Sequence, residues 1–207
     1  YNLNFLVNNN TLIEEHVVGI PGDIFIKDFL PNCNDSEKAQ IAKEYVKFNE
    51  RSMIRLLGDM RAYNYVVVPT HDFDQVVYKI RPIDFDQQSF EGKLSVYRPQ
   101  FFKENMPIMD LVRSKLNHDS INQYKIEERS IVARRIISSG NRLKKLLNIM
   151  QGDKVSNTDN LNRLKNEIYK FTKDDAFLKS SSMGELMRAA LNFVRFHYEN
   201  VNMHGFF

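Results

Sequence analysis

The sequence predicts an α+β domain in which helices dominate. Three observations point there. Two β-branched and aromatic runs between residues 65 and 84 read as one central hairpin. Apolar residues at helical spacing fill most of the chain from residue 34 onward. A composition of 43% hydrophobic and 27% charged residues over 207 positions is that of a globular chain with its own core.

The first thirty residues read as extended. Residues 2–7 form a strand that turns at Asn8-Asn9-Asn10, and residues 11–20 are β-rich up to the turn dipeptide Pro21-Gly22. Residues 23–30 are a short apolar segment, helix or strand, stopped by Pro31. Asn34 then caps a long helix, with Glu37 at the reciprocal capping position. Ile41/Ala42, Tyr45, Phe48, Ser52/Met53 and Leu56/Leu57 make its buried stripe, and Gly58 is the natural stop. The hairpin follows at 65–68 and 76–80, with Asp74-Gln75 near its turn and Pro69 and Pro82 at edges or strand ends. Residues 87–106 are polar and irregular apart from a short strand at 94–97. Pro107 opens a helix, a longer helix runs over 120–150 with an interruption at Ser139-Gly140, and two more cover 158–172 and 183–200. The chain therefore divides into a strand-rich segment, 1–30, and a helical region, 31–207, that carries the hairpin 65–84.

No run reaches the 18 or so apolar residues of a membrane helix, and the start lacks a basic-then-apolar signal pattern. The single Cys33 rules out an internal disulfide framework and a cysteine-based zinc site. It suits a reducing compartment, so a cytoplasmic location without a membrane partner is expected. Tyr1 in place of Met, ahead of residues that already read as strand, points to a piece of a longer protein. Charge is uneven: residues 1–120 carry 14 Lys/Arg against 17 Asp/Glu, and residues 121–207 carry 15 against 9. So modest a basic excess reads as solvated helix faces, with nucleic acid a secondary expectation.

Function concentrates in one carboxylate-rich stretch. Asp59 follows the long helix, Arg61 and Asn64 lie two and five positions on, and Asp84 stands at the far end of the hairpin rooted there. Phosphoryl transfer needs a carboxylate to orient the attacking hydroxyl, oxygen ligands for magnesium and a cation for developing charge. These residue types supply all three, and a hairpin returning to its origin brings Asn64 and Asp84 toward one ion.

Gly58-Asp59 with Asn64 resembles the Asp-x-x-x-x-Asn catalytic loop of the protein-kinase-like superfamily. Arg61 stands where many protein kinases carry a basic residue, and Ile83-Asp84-Phe85-Asp86 resembles the metal-binding Asp motif in its acid-ending form. The stretch is similar to the C-terminal lobe of atypical members: aminoglycoside and choline kinases, and toxin-type serine/threonine kinases. Residues 14–19, followed by Pro21-Gly22-Asp23-Ile24-Phe25, resemble the strand and hinge that contact adenine. The resemblance covers about residues 3–106 and implies ATP and Mg2+ as cofactors, with an acceptor that is protein or small molecule. It implies Asp59 as base with Arg61 beside it, Asn64 and Asp84 on the metal, and the backbone of Glu15 and Val17 facing the nucleotide. Leu57 stands where the superfamily usually has His or Tyr. The glycine-rich loop and strand Lys of a complete kinase are not among these residues, so a non-catalytic kinase-like scaffold is the companion expectation.

A rival pattern shares Asp84. Pro82-Ile83-Asp84 with Glu91-Gly92-Lys93 fits the loose motif of restriction-type nucleases, in which Asp84 and Glu91 would bind a divalent metal and Lys93 would assist water. That reading needs the strand at 94–97. A binding module built on Tyr97, Phe101, Phe102, Tyr124 and the residues 204–207 is the third class, set against ordinary core packing.

Overall fold

The computed structural model describes residues 5–8, 11–14, 16–73, 75–152 and 156–204. The architecture is α+β and mostly helical, with a small antiparallel sheet. β1 (Phe5–Asn8) and β2 (Thr11–Glu14) pair with each other, Phe5 opposite Glu14. The expected turn residues Asn9 and Asn10 lie outside the described residues. β3 (Ile20–Pro21) joins β4 (Tyr65–Asp72) and β5 (Gln75–Pro82) in a second sheet of order β3-β4-β5. The hairpin register runs from Tyr65 opposite Pro82 to Asp72 opposite Gln75; the expected turn residue Asp74 lies outside the described residues. Pro82 ends its strand, and Pro69 lies in β4 beyond the two residues that β3 covers, an edge setting that a proline tolerates.

Residues 23–30 resolve as helix. α1 (Gly22–Ile24) runs on through a π turn, Phe25–Phe29, and a 3-10 turn, Leu30–Asn32. Pro31 does not stop it but sits in the first turn of that last element, where a missing N–H breaks no bond. Among the described residues the extended reading holds for β1, β2 and β3, and helix begins at Gly22.

α2 (Asp35–Ile54) starts with both reciprocal bonds of a capping box: Glu37 N donates to Asn34 Oδ1 at 2.9 Å and Asn34 N to Glu37 Oε2 at 2.8 Å. Tyr78 Oη donates to Glu37 Oε1 at 2.8 Å, which ties the helix start to β5. Replacing Asn34 by alanine removes the side-chain acceptor of Glu37 N and leaves the backbone bond to Glu37, so about 1 kcal/mol of stability should be lost. A urea midpoint that does not move would refute this role, and Asn34→Ser should stay close to the parent.

The helix ends at Ile54, before the expected stop at Gly58. Leu57 N bonds Ser52 O at 2.9 Å and Leu56 N bonds Met53 O at 3.2 Å, while Leu56 takes φ 46°. This is the left-handed C-terminal turn that glycine usually fills. A leucine there costs about 1–2 kcal/mol, which burying its side chain offsets. Leu56 packs into one core and Leu57 into the other, each 1% exposed. The requirement to plug two cores with adjacent residues is why the helix stops where no glycine stands.

The first core gathers Phe25, Tyr45, Phe48, Tyr65 and Ile80 with Ile108 of α3 (Met106–Lys115). The second lies among α4 (His118–Gln151), α5 (Thr158–Thr172) and α6 (Met183–His204), around Val132, Leu164, Ile168 and Leu186. α4 breaks at Gly140, φ 46° and ψ −123°, where the interruption was expected. The strand expected at 94–97 is instead a 3-10 turn. Leu94 and Tyr97 are both buried, and residues three apart share a face in a 3-10 turn but lie on opposite faces of a strand.

A buried charged cluster pins α2 to α4 and the hairpin. Arg51 bonds Glu44 at 2.7 Å and Glu128 at 3.2 Å, all three less than 9% exposed, and Ile80 N donates to Glu44 Oε1 at 3.2 Å. Among the described residues no helix is long and apolar enough to cross a membrane.

Candidate active site

Residues 58–64 link α2 to β4 as an irregular loop closed by a 3-10 turn, Ala62–Asn64. Asp59 takes φ 53°, a left-handed conformation that Asp adopts more readily than most side chains. Its backbone N donates to Val96 O at 3.1 Å, and its carbonyl accepts from Arg61 N and from Asn64 Nδ2, both at 2.7 Å. Two non-glycine residues at positive φ within four positions mark a backbone held by its surroundings rather than by local preference.

The side chains converge on the Asp59 carboxylate. Arg61 Nε donates to Oδ1 at 2.8 Å, and Asn64 Nδ2 reaches Oδ2 at 3.4 Å. Arg61 also donates to Glu104 Oε1 at 2.9 Å and lies over the Phe102 ring, 5.0 Å from its centroid. The hydrogen bonds it donates to Asp59 first and Glu104 next raise the Arg61 pKa, so the cation is permanent. Asn64 is buried, and with its amide nitrogen committed to Asp59, its Oδ1 is the atom suited to a cation.

Asp84 is brought alongside by backbone contacts. Ile83 N donates to Asn64 O at 3.1 Å, continuing the β4–β5 pairing one residue past Pro82. Four residues on, a Cβ placed on Gly58 would stand 2.4 Å from Gln87 O, so only glycine admits this approach. Ser89 N then bonds Leu56 O at 2.9 Å. Residues 83–89 are therefore laid along 56–64, with Asp84 between two points of contact. Its Oδ1 accepts from Asp86 N at 3.2 Å. Among the described residues no group of three or more His, Cys, Asp or Glu is placed to hold a metal ion. Amide and carboxylate oxygens such as those of Asn64 and Asp84 suit Mg2+, which normally takes one or two protein ligands and completes its shell with water and phosphate.

Val17 is buried in an irregular stretch, 16–18, that leads into β3, while Glu15 lies outside the described residues. β3 pairs with Val66 and Val67, and the following Gly22 presses against the loop. A Cβ there would fall 2.4 Å from Ala62 O and 2.2 Å from the Tyr65 ring. The chain before β3 runs toward the Val68 end of β4, where a Cβ on Gly19 would meet Val66 and Val68.

Two supporting residues had no sequence signal. Asn105, fully buried, donates from Nδ2 to Met60 O and to Pro99 O, each at 2.9 Å, and accepts from Tyr65 Oη at 2.9 Å. Burial pushes the Tyr65 phenol well above its ordinary pKa, keeping it a donor. Glu104 fixes the far side of Arg61. Both sit in a polar stretch that reads as solvated loop, and only the fold shows that its amide faces inward.

The nuclease pattern loses the element it needed. Residues 94–97 form a turn, Tyr97 donates to Glu91 O at 2.6 Å, and no strand among the described residues carries Asp84, Glu91 and Lys93. Of the proposed aromatic surface, Tyr97 is core and Phe102 lies under Arg61. No protein-family model, curated protein or solved structure matches the chain.

Proposed function

We propose that this chain is an atypical kinase-like phosphotransferase domain that binds ATP with Mg2+. The observation that carries the reading is the bond from Ile83 to Asn64, which sets the Asp84 stretch beside the loop of Asp59, Arg61 and Asn64. Eighteen residues of hairpin separate Asn64 from Ile83 in sequence, and their meeting supports a site that combines a carboxylate base, a fixed cation and two magnesium-suited oxygens.

In this reading the Asp59 carboxylate orients the acceptor hydroxyl and takes its proton, and Arg61 balances charge developing on the transferred phosphoryl. Asn64 Oδ1 and Asp84 hold Mg2+, which supplies charge neutralisation at the phosphates when bound. In the same reading the backbone of Glu15 and Val17 faces the base end of the nucleotide.

A non-catalytic nucleotide-binding scaffold is the second reading, favoured by one observation. Both Asp59 oxygens are engaged, by Arg61 and by Asn64, so the base is held within its own loop.

Thermal unfolding with ATP and Mg2+ tests the site. At a hundredfold excess over Kd, binding adds about 2.7 kcal/mol. For a chain of this size that corresponds to a Tm rise of about 5–10 °C. Asp84→Ala should lose most of that rise. No rise in the parent protein at millimolar ATP would end the proposal. Stabilisation without any release of the γ-phosphate would select the scaffold.

A further inference from the structure

A second site lies at the end of α2. A cavity of about 430 Å3 opens between the end of α2, Gln88, both halves of α4 and α6. Its size is that of a small-ligand pocket. Four arginines line it, Arg51, Arg55, Arg135 and Arg142, and none of its lining residues is Asp or Glu. The remaining wall is apolar, with Ile136, Leu143, Leu147, Met187 and Leu191 among its residues.

The arginines are not equivalent. Arg51 is spent on Glu44 and Glu128. Among the described residues, the guanidinium groups of Arg55, Arg135 and Arg142 make no ion pair or side-chain hydrogen bond to a carboxylate. Arg55 is the deepest of the three: it is only partly exposed and stands beside Arg51 and Arg135, and the nearest carboxylate acting on it, Glu128, is already bonded to Arg51. Burial, then the neighbouring Arg51 and Arg135, lowers its pKa. Arg135 and Arg142 are exposed at the mouth, on either side of the break at Gly140. With Glu128 already bonded to Arg51, gathering Arg55, Arg135 and Arg142 against an apolar wall leaves an excess of positive charge, and an anion relieves it.

We propose that this cavity binds a small amphiphilic phosphate, a phosphomonoester head carried on an apolar chain. The head sits among Arg55, Arg135 and Arg142, because guanidinium forks match phosphate oxygens and a charge near −2 answers several cations at once. The chain lies along the Leu, Ile and Met wall, where flexible methionine adapts to its shape. The site is independent of the nucleotide reading.

Isothermal titration calorimetry of the full chain with decyl phosphate, kept below its micelle concentration, decides the matter. One molecule per chain should bind, and inorganic phosphate should bind at least about tenfold more weakly, since it lacks the apolar part. Arg55→Met should weaken decyl phosphate by about tenfold or more. The double variant Arg135→Glu with Arg142→Glu changes exposed positions only, so it keeps the test valid if Arg55→Met fails to fold, and it should show a loss at least as large. The proposal falls if no saturable binding is seen, if the double variant binds like the parent, or if inorganic phosphate or decyltrimethylammonium binds as tightly.

Discussion

Arg51→Met should lower the stability of this protein by about 3–5 kcal/mol, the range found when one partner of a buried ion pair is removed. The reason is what stays behind. Glu44 and Glu128, each about 4% exposed, would face each other without the guanidinium that now joins them at 2.7 and 3.2 Å. Arg51 also donates to Ile80 O at 3.3 Å, so its loss loosens β5 from α2. Guanidinium chloride unfolding measures the effect as a lower midpoint. Adding Glu44→Gln and Glu128→Gln to Arg51→Met should recover much of the loss, because an amide oxygen still accepts from Ile80 N and no unpaired charge remains buried. A loss under about 1 kcal/mol for Arg51→Met, or no recovery in the triple variant, would show that the cluster is held by packing rather than by charge.

Asn105→Leu is expected to be nearly as damaging, at about 2–5 kcal/mol, since two carbonyls and one hydroxyl lose their partner inside the core. Its second effect separates it from an ordinary core lesion. The Asn105 amide holds Met60, the residue between Asp59 and Arg61, so the variant should lose the Tm rise proposed for ATP and Mg2+ at temperatures where it is still folded. Tyr65→Phe removes only one of the three bonds and should cost about 1 kcal/mol with nucleotide stabilisation retained. An Asn105→Leu protein within 0.5 kcal/mol of the parent would sink the clamp idea.

Regular elements were legible wherever local chemistry and burial agree. The Asn34–Glu37 box, the hairpin and the helix at 158–172 all follow from caps and apolar spacing within the segment itself. Expectations failed where a distant contact overrides the local signal. Leu56 ends α2 because two cores meet there, and Leu94 and Tyr97 turn together because both are buried against the helical side. In the candidate site, the approach of Ile83 to Asn64 could be read from spacing, because a hairpin must return to its root. Glu104 and Asn105 could not, since nothing in residues 99–105 tells an inward amide from a solvated one. The arginine-lined cavity was equally hidden: its walls come from α2, α4 and α6, which the sequence joins only through folding.

The backbone angle of Asp59 limits what its position can become. At φ 53° a side chain with a full Cβ environment is strained, and Asp, Asn and Gly are the residues that accept the left-handed region most readily. A lineage that gave up the carboxylate while keeping this fold would therefore drift to Asn or Gly and not to Ala or Glu. Asn or Gly in a related chain marks a lost carboxylate on an intact loop, whereas a bulky β-branched residue there marks a loop that has been rebuilt.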